Sequence, residues 1–110
     1  MKLILKSIAN KIPQLASPPK PLTLETIAHV KLFLCGSDAT WYVCTYDPKT
    51  TRCRGIVTLD GMGWEEGDFS IRELESITCM GVFRVERDTS FTPRRIRDIA
   101  EFGHLCKEAA

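Results

Sequence analysis

A chain of 110 residues, 44% hydrophobic and 26% charged, has the length and make-up of one soluble domain whose core needs neither a metal nor a disulfide. Fifteen Lys plus Arg against fourteen Asp plus Glu leave a formal charge of +1, which excludes a global field drawing the protein to nucleic acid or anionic membrane. No window approaches the roughly 18 apolar residues of a membrane span, and the apolar run Leu3 to Leu5 is too short for an export signal. The expected location is the cytoplasm, with the five cysteines reduced.

In chain order, Leu3, Ile4, Ile8 and Ile12 recur at roughly helical spacing among Lys2, Lys6, Asn10 and Lys11, which predicts a short amphipathic helix over 2–12 that Pro13 ends. The segment PQLASPPKPL holds four of the six prolines and reads as an extended connector, too short to separate two domains. Short β-type runs follow at 29–35, 40–46, 54–59 and 82–88. Turns at Asp47-Pro48-Lys49-Thr50 and Gly61-Met62-Gly63 join the first three into an antiparallel meander. Cys44 and Cys53 are symmetric about Pro48 and Lys49, so a tight hairpin sets them opposite each other; packing as small hydrophobes and pairing as a disulfide are both open.

The stretch GWEEGDFSIRELESI gathers Glu65, Glu66 and Asp68 and then supplies a helix start. Ser70 and Glu73 match a capping box, and Phe69 with Leu74 a hydrophobic staple. Strand alternation sends Glu66 and Asp68 to one face and Glu65 to the other, so the three do not converge as a catalytic pair must. A last helix is signalled by Thr92 and Pro93, with Ile96, Ile99, Ala100 and Gly103 or Cys106 as its apolar stripe. Arg94, Arg95 and Arg97 crowd its first turn. Two readings stand: pairing of Arg94 with Asp98 and of Arg97 with Glu101, or a basic patch, extended by Arg84 or Arg87, that meets an acidic partner or phosphate. His29 and His104 are far apart, His104 and Cys106 lack a third member, and no metal-ligand spacing, phosphate loop or nucleophile motif is present.

The order of landmarks VKLFL, TWYVCTYDP, RGIVTLDG, EEGDFSIRELESI and GVFRVERDTSF resembles the plasmid- and phage-borne family named domain of unknown function 2958. The matching positions are Trp41, Tyr42, Tyr46, Asp47, Pro48, Gly55, Gly67, Phe69, Ser70, Glu73, Leu74, Glu86, Arg87, Asp88 and Phe91; Glu66 and Asp68 depart from the pattern. The adjacent charges Glu86, Arg87 and Asp88 read either as an ion-pair network or as a surface for a partner. The resemblance implies the company of a mobile element rather than a mechanism.

These readings converge on a single α+β domain over 1–110: an N-terminal helix and Pro-rich connector over 1–28, then an α+β core over 29–110 with a small, mainly antiparallel sheet of four or five strands and middle and C-terminal helices. The expected function is non-enzymatic binding to a host or element-encoded protein complex, of the anti-CRISPR or antirestriction kind. Trp64, Glu65, Glu66, Asp68, Arg84, Glu86, Arg87, Arg94, Arg95 and Arg97 are its candidate contact residues. The alternative is a nucleic-acid accessory protein with arginines on phosphates and Trp41 or Tyr42 stacked on bases. No cofactor, metal or membrane partner is expected; an exposed strand edge or the first helix leaves a dimer open.

Overall fold

The computed structural model describes residues 2–16 and 20–99. Its centre is an antiparallel sheet built from β2 (Val30–Leu34), β3 (Thr40–Asp47), β4 (Arg52–Thr58), β5 (Glu65–Ser70) and β7 (Phe83–Arg87), extended at one edge by the two-residue β6 (Thr78–Cys79). The spatial order is β5-β4-β3-β2-β7-β6, so the expected meander forms, and β7 returns to pair with β2. Two helices of four and six residues, α1 (Lys6–Ala9) and α2 (Ile71–Ser76), brace it. A second small sheet joins β1 (Ile27–Ala28) to β8 (Arg94–Arg95).

Period-two alternation along β2 and β3 divides the apolar side chains between two cores. Val30, Leu32, Trp41, Val43, Tyr46 and Val85 face one side, covered by Leu3, Ile4 and Ile12 from the N-terminal segment and by Ile71 and Leu74 of α2. Tyr42 and Cys44 face the other, covered by Ala28, Ile96 and Ile99, with Leu22, Leu24, Ile56, Trp64 and Phe91 packed around them. A sheet buried on both faces explains why β3 reads TWYVCTYD, nearly continuous in apolar and aromatic residues.

The register shifts between Val43 and Thr45, a β-bulge that leaves Cys44 unpaired in the ladder. The expectation that Cys44 and Cys53 stand opposite each other fails, because the hairpin turns between Lys49 and Thr50, pairing Asp47 with Arg52 and Tyr46 with Cys53, and the extra residue then carries the two cysteines to different cores. Both are free thiols. Burial raises the Cys44 thiol to about 12 and pushes Cys53 up as well.

The three expected helices fare differently. The middle one is present: Ser70 caps it by accepting the Glu73 N–H at 3.4 Å, and Phe69 and Leu74 share one core. The first is shorter than the spacing predicts, since only Lys6–Ala9 is helical. Leu3 spends its backbone groups elsewhere, its N–H on Glu75 Oε2 at 2.8 Å and its carbonyl on Arg87 Nη1 at 2.7 Å, and so short a helix has little stability of its own. The last one does not start at Thr92. Arg94–Arg95 is a strand and Ile96–Asp98 a 3-10 turn, because Ile96 N–H and Arg97 N–H donate to the carbonyls of Thr26 and Leu24 and not along a helix. Ile96 and Ile99 are still the buried positions. Ala100, Glu101, Gly103, His104 and Cys106 lie outside the described residues.

Candidate functional site

Three hairpin turns, 35–39, 59–64 and 80–82, emerge at the same end of the sheet, because β2 with β3, β4 with β5 and β6 with β7 are antiparallel neighbours. Among the described residues seven large apolar side chains are exposed, and five of them belong to this end: Leu59, Met62, Met80, Val82 and Phe83. The first four are between 73% and 87% exposed, far beyond what scattered surface apolar residues need.

Their exposure is built in by the backbone. In the 59–64 turn, Thr58 Oγ1 accepts Gly61 N–H at 2.9 Å, while Asp60 Oδ1 accepts Met62 N–H at 2.9 Å and Gly63 N–H at 3.1 Å. These bonds, Met62 N–H first, hold the Asp60 carboxyl below its usual value and fix the turn with Met62 pointing outward. In the 80–82 turn Met80 and Gly81 are both left-handed, at φ 56° and 72°. A methionine there is conformationally unfavourable as well as exposed. The turns also touch. A Cβ on Gly36, left-handed at φ 82°, would lie 3.0 Å from the Phe83 ring, and one on Gly61 would lie 3.0 Å from Asp38 Cβ. The 35–39 turn thus bridges the other two into one surface. It holds no Lys or Arg in any of its three segments, but does hold Asp38 and Asp60.

The residues singled out in the sequence are distributed differently. Glu66 and Asp68 share one face of β5, as alternation predicts, and both are taken by Arg54: Nη1 donates to Asp68 Oδ1 at 2.8 Å and Nη2 to Glu66 Oε2. Glu66 Oε1 also accepts Leu22 N–H at 3.2 Å. Glu65 points from the other face and is exposed. Trp64 is half-buried, its ring 5.7 Å from that of Tyr42. Arg95 pairs with Glu25 and Asp98, and Arg97 with Glu25; Arg94 bonds Thr92 and lies over Phe91, 4.7 Å from the ring centroid. The predicted pairing of Arg94 with Asp98 is replaced by Arg95 with Asp98, since the segment is not helical. That of Arg97 with Glu101 lies outside the described residues.

Glu86, Arg87 and Asp88 do not pair with one another. Glu86 accepts the Cys35 thiol proton at 2.9 Å, which raises the Cys35 pKa; Arg87 ties down Leu3, and Asp88 Oδ1 accepts Ser90 N–H at 2.9 Å. Arg84 is exposed on β7. Trp41 and Tyr42 are at most 5% exposed, so neither can stack on a base. Among the described residues no three His, Cys, Asp or Glu side chains assemble as a metal site, and no helix is long and apolar enough to cross a membrane. The sequence reading missed Leu59, Met62, Met80 and Val82. Their signal was available in LDGMG and MGV, turns that place apolar residues where polar ones are usual.

An antiparallel sheet buried on both faces, with short helices and an apolar, acid-edged end, defines a small β-rich protein class. The chain belongs to the family described as Protein of unknown function (DUF2958), whose model matches residues 7–109. No curated protein and no solved structure matches it.

Proposed function

We propose that this protein is a non-enzymatic binding protein whose contact surface is the hairpin-turn end of the sheet. One observation carries the reading: five of the seven exposed large apolar side chains among the described residues gather there, with Leu59 and Met62 on a turn fixed by its own hydrogen bonds. Apolar side chains held rigidly outward lose little entropy on binding, and burying each one contributes about 1.5–3 kcal/mol. The acidic Asp38 and Asp60 at the rim, with no Lys or Arg in the turns, suit a protein partner with an apolar patch edged by basic residues and repel phosphate. The kind of partner, a host defence complex met by a mobile element, is suggested by the family resemblance alone.

The test compares wild type with the double variant Met62→Lys, Val82→Lys as bait in a bacterial lysate, with and without nuclease, read by mass spectrometry. Both side chains are exposed, so the substitutions leave the two cores untouched. A stoichiometric protein that survives nuclease and is lost with the double variant supports the proposal. Equal capture by both baits, or only nuclease-sensitive material, overturns it, and the second result promotes the nucleic-acid reading.

A further inference from the structure

At the opposite end of the sheet a cleft of about 310 Å³ opens between the segment around α1, the start of β2 and the turn that follows β7. Lys11, His29 and Arg87 supply its polar wall, and Ile12, Val30 and Phe91 its apolar one. The volume is at the lower limit of small-molecule sites, which combine a mainly apolar lining with a few placed polar groups.

The charges of the lining are unbalanced. Lys11 and Arg87 are cations, and the cleft's one carboxylate, Asp88, is engaged in its own turn through Oδ1 and Ser90 N–H. Arg87 spends Nη1 on the Leu3 carbonyl at 2.7 Å, which orients the guanidinium while leaving further donors on the same planar group. His29 is half-buried on the same wall, its backbone fixed by donation to the Val43 carbonyl at 2.8 Å. Its side chain is held below the usual imidazole value of 6.5 by burial, so at neutral pH it adds a hydrogen-bonding group without charge.

We propose that this cleft binds a small amphipathic anion: one carboxylate or phosphate between Lys11 and Arg87, carried on a body about the size of one ring that packs on Ile12, Val30 and Phe91. The site is separate from the hairpin-turn end and does not depend on what binds there. The Arg87 tie to Leu3 has a consequence, because the same guanidinium would hold both the ligand and the N-terminal segment; occupancy then strengthens the docking of residues 2–12.

The probe is phenyl phosphate, with phenol as its uncharged body and inorganic phosphate as its bare charge, each titrated into isotope-labelled protein and followed by amide chemical shifts. Saturable shifts at His29, Val30 and Arg87 to Phe91 are expected with phenyl phosphate, binding about tenfold tighter than either control. Lys11→Glu, an exposed position that leaves the core intact, should weaken the probe about tenfold or more. As a second readout, the His29 imidazole should titrate at higher pH with the probe bound, because a nearby anion favours its charged form. No saturable shift at these amides, phenol binding as tightly as phenyl phosphate, or a Lys11→Glu protein that binds unchanged each overturns the proposal.

Discussion

Gly55→Ala is expected to be severely destabilising although it adds one methyl group to a strand. Gly55 opposes Val43 where the register shifts, and a Cβ built there would lie 1.7 Å from the Tyr42 carbonyl oxygen, 2.9 Å from Tyr42 C and 3.4 Å from Cys44 N. Ordinary carbon to oxygen contacts begin near 3.3 Å, so the shortfall is about 1.6 Å. The obstacle is backbone and has no rotamer to change, so β3 and β4 must separate at the bulge, losing ladder bonds between two central strands. Overpacking of this kind costs about 3 kcal/mol; with an unfolding entropy of about 2.1 cal/mol/K per residue, the melting temperature falls by about 13 °C. Gly67 is the control. It pairs with Gly55 on the next strand, and nothing lies within 4 Å of its added Cβ, so Gly67→Ala should be neutral or stabilise by up to about 1 kcal/mol through the unfolded state. Urea and thermal unfolding followed by circular dichroism measure both. A Gly55→Ala protein as stable as wild type refutes the close approach of the strands at the bulge.

Cys44 and Cys53 should resist alkylation in the native protein at neutral pH and react fully in denaturant, because both thiols are buried with raised pKa values; mass spectrometry that found either modified as fast as a free thiol, or the two joined as a disulfide, would contradict the separation of the cores. Met80→Asn should raise stability by about 0.5–1 kcal/mol, since asparagine tolerates the left-handed backbone that Met80 adopts at φ 56° and the methionine side chain is exposed. Denaturant unfolding that shows a loss instead would mean that Met80 contributes to the fold.

The strands were legible because β2, β3 and β4 are rich in β-branched and aromatic residues and bounded by Gly, Pro and Asp turns, and α2 because its cap is local chemistry at Ser70 and Glu73. The failures share a cause. The last helix and the ends of the first were read from periodicity and caps, but the backbone groups concerned bond to residues far away in sequence: Leu3 to Glu75 and Arg87, Ile96 and Arg97 to Thr26 and Leu24. The bulge at Cys44 is a single extra residue, which alternation cannot reveal in a strand buried on both faces. The acidic group was read correctly by face, yet its partner Arg54 sits 12 and 14 residues upstream on the neighbouring strand and becomes visible only with the register of β4 and β5.

Several of the charged residues that stand out in the sequence do a job inside the molecule. Arg54 and Glu66 fasten the segment at Leu22 to the sheet, Glu25, just before β1, pairs with Arg95 of β8 and with Arg97 after it, and Arg87 with Glu75 secures Leu3. Each pair joins the central sheet, or one covering segment, to another covering segment distant in the chain. The exposed Glu25 pairs contribute at most about 1 kcal/mol each and a hydrogen bond such as those to Leu3 about 0.5–1.5 kcal/mol, so the effect of these ties is to select one arrangement of segments over the two faces, while the apolar cores supply most of the stability. With those charges assigned, what folding leaves unexplained is the apolar content of the turns. Met80 accepts an unfavourable backbone and Met62 an exposed position, and neither gains a core contact in return. Residues placed against both local preference and burial are the ground on which this end of the sheet is proposed as a contact surface, with the 35–39 turn lying beside Gly61 on one side and Phe83 on the other.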